Sequence, residues 1–176
     1  NGNKPGSGIK IKVPSIEMLE IGSGGGSIAN IDELGLIKIG PNSAGSNPGP
    51  ACYCLGGSSP AVTDSDLVLG RLDADNFAGG SIRLDVAKSK TALEETVGSI
   101  LSMNSTESAF GVSEVVDENM ANAARMHAVE NGEDLSEYTM IAFGGAAPLH
   151  AARLCQKLDI SNFLVPSGAG VGSAIG

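Results

Sequence analysis

Thr139-Met140-Ile141-Ala142-Phe143-Gly144-Gly145-Ala146-Ala147-Pro148-Leu149-His150 is the stretch whose reading decides the fold. Residues 140–143 are a short apolar run with large side chains, which reads as a buried strand. Gly144 and Gly145 carry no Cβ, so the backbone there can turn sharply or approach a ligand closely. Pro148 falls where a first helical turn tolerates it, because its missing N–H would be unpaired there anyway. Ala151, Leu154, Cys155 and Leu158 then recur at i, i+3, i+4 and i+7, one face of a helix. Residues 162–165 form a second apolar run. Strand, helix and strand with short links predict a βαβ unit with parallel strands. The helix N-terminus then lies at the strand's carboxyl end, where α/β proteins bind ligands. The same double glycine could serve a packing turn alone.

Working outward, the 176 residues are enough for one domain or two small lobes. Apolar residues make up 41% of the chain but aromatic ones only 3%, and there is no Trp, so the core must be built from Ile, Leu, Val and Ala. Glycine, at 25 residues, is about double its usual share without any collagen period, and the excess belongs to loops. Net charge is −9, and the 11 Lys and Arg never cluster, which excludes a general nucleic-acid surface. A phosphate site would have to use backbone N–H groups, a helix N-terminus or a metal ion. The acids between Glu94 and Glu137 read as a solvated helical face. Three cysteines, Cys52, Cys54 and Cys155, have no zinc spacing and fit a reducing, cytoplasmic setting. No signal peptide or membrane-length apolar run is evident, and no membrane partner is expected. The chain opens without Met and reads as a piece of something longer.

In chain order, residues 9–13 alternate Ile-Lys-Ile-Lys-Val, a half-buried strand, and residues 16–21 are a second extended candidate. Residues 28–31 and 36–39 flank Asp32-Glu33-Leu34-Gly35 and predict a hairpin. Gly24, Gly25 and Gly26 therefore sit inside a β unit. They serve either close backbone approach to an anion or partner loop, or a bulge. They make neither a P-loop nor a dinucleotide fingerprint. Residues 40–60, with Pro41, Pro48 and Pro50, form a long shaped loop. Thr63 as N-cap with Asp66 at N3 predicts a helix over 64–72, with Asp64 and Asp66 as capping acids rather than metal ligands. A turn is expected at 76–80. Asp85 opens a helix to about Leu101 with Val86, Leu93, Val97 and Ile100 on one stripe. Another helix starts at Thr106 or Ser108 and runs to Asn131, ended by Gly132. Its stripe is Val112, Val115 or Val116, Met120, Ala123 and His127, which makes His127 a structural histidine.

Four blocks now carry a resemblance: Glu20-Ile-Gly-Ser-Gly-Gly-Gly-Ser-Ile-Ala, Gly40-Pro-Asn-Ser-Ala-Gly-Ser-Asn-Pro-Gly-Pro-Ala-Cys-Tyr, Val62-Thr-Asp-Ser-Asp-Leu-Val-Leu-Gly-Arg-Leu and Ala142-Phe-Gly-Gly-Ala-Ala-Pro-Leu-His-Ala. In order and spread over most of the chain, they resemble the hydantoinase A/5-oxoprolinase family, to which acetone carboxylase subunits are related. The resemblance implies an α/β fragment of an actin/Hsp70/sugar-kinase-like (ribonuclease H-like) ATPase, the later part of its second nucleotide-binding lobe. It would be a single domain fragment, β-rich with a long Gly/Pro loop over 1–61 and helical with the βαβ unit over 62–176. The family's Asp-Gly-Gly-Thr phosphate loops do not occur here, and Ala147 and Cys54 stand where the family usually has glycine.

The implied activity is ATP-dependent opening of a cyclic amide such as hydantoin or 5-oxoproline. The alternatives are ATP-dependent carboxylation of a ketone, or a non-catalytic assembly module. Phe143, Gly144, Gly145 and Ala146 match the adenosine motif of that fold, and Gly24, Gly25 and Gly26 lie where a loop would face the nucleotide cleft. ATP and Mg²⁺ are the implied cofactors, the metal's ligands lying elsewhere. The remainder of a longer chain and a second, B-type subunit are the implied partners. Catalytic residues stay unassigned. His150, near Arg153 on the polar side of its helix, reads as a surface histidine at a helix end.

Overall fold

The computed structural model describes residues 18–171. The expected strand at 9–13 lies outside the described residues, and the described part of 16–21 carries no strand.

The hairpin forms as β1 (Ser27–Ile31) and β2 (Ile37–Ser43), antiparallel, with Ala29 opposite Ile39 and Ile31 opposite Ile37. Its turn is held by Asp32, whose Oδ1 accepts from the N–H groups of Leu34 and Leu36, each at 2.9 Å. A register shift between Ser27 and Ala29 marks an irregularity directly after the triple glycine.

Helix α1 (Val62–Val68) starts two residues before the predicted position. Ala61 is its N-cap, and Asp64, not Asp66, is the N3 residue whose carboxylate returns to the cap N–H at 2.8 Å. Thr63 is not a cap; its hydroxyl donates to Gly25 O at 2.8 Å. The helix stops short of Leu72 because Gly70 takes a left-handed conformation, φ +74°.

The predicted helix over 85–101 is interrupted. Asp85 caps α2 (Val86–Leu93) by accepting from Ala87 and Lys88 N–H. A π-helical turn over Glu94–Gly98 comes next, and then α3 (Ser99–Leu101). Leu93 and Val97 are buried; the widened turn shifts the helical phase of the residues beyond it, and Ile100 is exposed, while Val86, at the helix start, is about one-third exposed. The long helix α4 (Ser105–Asn131) is capped by Asn104 and Glu107 in a reciprocal box and ends at Gly132, φ +71°. Val112 and Val116 face the main core, with Ala29, Ile39, Val62, Leu93 and Val97. His127 is half-buried, and its backbone carbonyl accepts from the Asn131 amide at 3.0 Å.

The βαβ unit is present. Strands β3 (Thr139–Ile141) and β4 (Asn162–Leu164) pair in parallel, with α5 (Ala147–Leu158) between them and Pro148 in its first turn. Ala151, Leu154, Cys155 and Leu158 are buried as predicted, the last three against Ala121 of α4. The strands are not buried: Ile141, Phe143, Phe163 and Leu164 are exposed. The architecture is mixed α/β, with two separate two-stranded sheets joined by helices. No helix among the described residues is long and apolar enough to cross a membrane.

Candidate functional site

The two glycine stretches singled out in the sequence, more than a hundred residues apart, meet at one cavity. It has a volume of about 340 Å³, and Gly25, Gly26, Thr63, Asp66, Gly145 and Ala146 all line it. Backbone and side-chain bonds tie the first of these stretches to α1. Gly25 O accepts from Thr63 N–H and from Thr63 Oγ1, each at 2.8 Å, which pins the glycine loop to the start of α1. A Cβ on Gly25 would lie 3.1 Å from Thr63 Oγ1 and 3.6 Å from Ala146 Cβ, and one on Gly26 would lie 2.9 Å from Ser43 Oγ. Gly25 and Gly26 thus allow a close approach to α1 and β2, whereas a Cβ on Gly24 would meet nothing within 4 Å. Ser27 closes the loop on itself: its Oγ accepts from Gly24 N–H at 2.9 Å and donates to Gly22 O at 3.2 Å.

Across the cavity, Gly144 has φ +102°, a conformation that a side chain would strain, and its N–H donates to Ala169 O at 2.7 Å. Gly145 faces open space: a Cβ there would meet nothing within 4 Å. Gly24, Phe143 and Gly144 do not line the cavity, and the Phe143 ring is half exposed. Tyr53 and Phe77 form the far wall, their ring centroids 5.7 Å apart and tilted at 46°.

Two aspartates of α1, Asp64 and the cavity-lining Asp66, are both buried. Asp64 is saturated. It accepts from the N–H groups of Ala51 (3.2 Å), Cys52 (2.8 Å) and Ala61 (2.8 Å) and from Ser89 Oγ (2.7 Å). That binds the long Gly/Pro loop to α1 and α2, and it pushes the buried Cys52 thiol far above its ordinary value, burial first and the Asp64 charge second. Asp66 is different. It takes one hydrogen bond, from Arg71 Nη1 at 3.0 Å, and its Oδ2 stands 3.3 Å from His150 Nε2.

His150 is therefore not the surface residue expected from the sequence; it has no solvent exposure. Its Nδ1 is 2.6 Å from Asp117 Oδ1 of α4, and its Nε2 makes no hydrogen bond of acceptable geometry. Burial by itself lowers the imidazole, but the hydrogen bond to Asp117 and the nearby carboxylate charges of Asp66 and Asp117 outweigh it and raise His150 to about 9. Arg71 extends the network by donating to Ser113 Oγ at 2.7 Å. The missed signal was periodic: His150 stands four residues before Leu154 and eight before Leu158, on the buried stripe itself. Among the described residues no group of three His, Cys, Asp or Glu is arranged to hold a metal ion.

Fold and cavity together define a class: a mixed α/β protein with a ligand-sized cavity at the carboxyl end of a parallel strand, closed between two glycine loops. Residues 3–176 match the hydantoinase/oxoprolinase family, and the chain belongs to it. It is 41% identical over 167 residues to the acetophenone carboxylase gamma subunit of Aromatoleum aromaticum, covering 94% of this chain and 22% of that one. Among solved structures it is similar to nucleotide-free acetone carboxylase, described as carrying out ATP-dependent acetone carboxylation, with a TM-score of 0.81 and 30% identity over 88% of this chain and 22% of the other. It is also similar to the ATP-dependent caprolactamase of Pseudomonas jessenii, with a TM-score of 0.78 and 38% identity over 83% of this chain and 21% of the other. The chain thus spans about a fifth of the length of each of these relatives.

Proposed function

We propose that this chain forms part of the nucleotide-binding lobe of an ATP-dependent enzyme that opens a cyclic amide, and that its cavity takes the nucleoside portion of the nucleotide. The reading is carried by one observation: Gly25, Gly26, Gly145 and Ala146 converge on a single cavity at a strand's carboxyl end. Bare glycine backbone there lets a flat ring lie against main chain. An actin-like lobe, with the phosphates and Mg²⁺ held by other parts of a longer chain, belongs to the same reading. So does a second subunit, because relatives are named as subunits. Free cysteines at 52, 54 and 155 support a reducing, cytoplasmic setting.

Titrating ADP into the full-length protein tests it. A Cβ at position 145 meets nothing within 4 Å and Gly145 lines the cavity, so Gly145→Val directs its added bulk into open space there. ADP affinity should fall at least tenfold in Gly145→Val with unchanged thermal stability. Equal affinity in both proteins would remove the cavity from the nucleotide site. Ketone carboxylation is the second reading, favoured by the likeness to acetophenone and acetone carboxylases. ATP hydrolysis stimulated by a lactam supports the first, and stimulation only by a ketone with bicarbonate supports the second.

A further inference from the structure

We propose that Asp66 is the polar anchor of this cavity, a carboxylate that accepts hydrogen bonds from the vicinal hydroxyls of the ligand's sugar, with His150 as the positioning residue behind it. The inference rests on the nucleotide reading and goes further by saying how the ligand lies.

Asp66 is the one carboxylate among the residues lining the cavity, and the Thr63 hydroxyl beside it is already engaged by Gly25 O. A carboxylate offers about four lone-pair sites. The neighbouring Asp64 fills four, all with protein donors. Asp66 fills one, with Arg71, although it is only 1% exposed. Buried acceptors are rarely left so poorly supplied, because each unfilled site loses water without a replacement. The His150 ring, kept charged beside Asp66 and Asp117, pairs with Oδ2 at 3.3 Å as an ion without hydrogen-bond geometry, so it balances charge but leaves the carboxylate's lone pairs short of donors. What His150 does is hold position. Its other nitrogen is fastened to Asp117 at 2.6 Å, so the ring braces Asp66 from behind and leaves the carboxylate's open side to the cavity.

Charge then decides which part of a ligand fits. Arg71 and His150 stand behind Asp66, and no cation lines the cavity in front of it. Nothing lining the cavity in front of Asp66 would pair with a phosphate placed there. A pair of hydroxyls would instead give it two donors at once, a charge-assisted arrangement. The nucleoside therefore enters sugar towards Asp66, with its phosphates directed away.

The test is calorimetric titration of ADP and of 2′,3′-dideoxy-ADP into the full-length protein, its Asp66→Asn variant and its His150→Gln variant. Hydrogen bonds to a charged group are stronger than those between neutral groups, so the native protein should prefer ADP by about tenfold or more. Asp66→Asn should weaken ADP by a similar factor, change dideoxy-ADP far less, and bring the ratio close to one. His150→Gln should lower the same ratio; equal weakening of both nucleotides would overturn its positioning role. Native protein that binds both nucleotides equally overturns the anchor and leaves the nucleotide reading standing. Failure to bind either nucleotide overturns both. Should Asp66→Asn not fold, the comparison of the two nucleotides on native protein still decides.

Discussion

Asp64 and Asp66 stand two residues apart on one helix, equally buried, and do opposite work because of what surrounds their oxygens. Four donors converge on Asp64, three of them backbone N–H groups of loop and helix start. Asp64→Asn replaces one acceptor oxygen by a donor facing those N–H groups. It should destabilise the protein by about 2–4 kcal/mol, read as a lowered denaturant midpoint, since buried groups left unpaired or mispaired cost on that order. A loss below about 0.5 kcal/mol, the range of ordinary surface changes, would mean the loop is not held through this residue. His150 makes the second prediction at this scale. The groups facing it are Asp66 of α1 and Asp117 of α4, with Arg71 paired to Asp66. Its folded-state value, about 9, lies above the unfolded one near 6.5. The stability it contributes is therefore fully present below about pH 6.5 and lost as pH rises through 9, at most on the order of 3 kcal/mol. Thermal unfolding of the native protein should decline across that window, and His150→Gln should flatten the decline; parallel curves would refute it. The sequence showed Asp64 as a capping acid, through its place in a first helical turn. It could not show that Asp66 and Asp117 face one imidazole, because that pairing joins three helices and has no local pattern.

At the scale of elements, α4 and α5 are tied by a charged clamp along their exposed edge. Glu114 of α4 accepts from Arg153 at two oxygens, 2.8 Å each, and from Lys157 at 3.1 Å, while Lys157 also reaches Glu118 at 2.9 Å. The Arg153 hydrogen bond first, and Lys157 after it, hold Glu114 at about 2, against a partial opposing effect of burial. Its contribution is present above the unfolded value near 4.5 and lost as pH falls through 2. With solvent screening of a partly exposed pair, Glu114→Gln should cost about 1 kcal/mol at neutral pH. The gap between native and variant unfolding free energies should narrow as pH drops below 4.5; a constant gap would mean the clamp contributes by packing alone. Helix existence here was legible, because Asp85 and Gly132 are capping residues and the buried stripe of α5 repeats at helical spacing. The π-helical turn was not. It widens one turn without altering which residue types occur, and it shows only in the phase of the residues after it. Its fit depends on Gly98, where a Cβ would come within 2.5 Å of Met103 O. Gly98→Ala should therefore destabilise by about 1–3 kcal/mol through forced movement of the backbone, whereas Gly145→Ala, in open space, should not.

At the scale of the whole molecule, the two sheets differ in what covers them. The hairpin is packed under α4 and contributes Ala29 and Ile39 to the main core. The β3–β4 pair is a two-stranded parallel sheet of three residues per strand, with Ile141 and Leu164 more than half exposed and Phe163 nearly so. Parallel strands are ordinarily covered on both faces, and two-stranded sheets are marginal alone. The apolar runs at 140–143 and 162–165 correctly signalled strands, but burial is a property of neighbours: Met140 packs towards α4 and α5, while nothing among residues 18–171 covers Ile141, Phe163 and Leu164. Relatives about five times as long supply room for them. Produced by itself, this chain should then expose the sheet to solvent. Backbone amides of β3 and β4 should exchange hydrogen much faster than those of α4, and the chain should bind a hydrophobic dye and self-associate with rising concentration. In the full-length protein the same amides should be protected and the dye excluded. Equal protection of β3, β4 and α4 in the isolated chain, with no dye bound, would show that α5 alone stabilises the unit and that the exposed apolar residues need no cover.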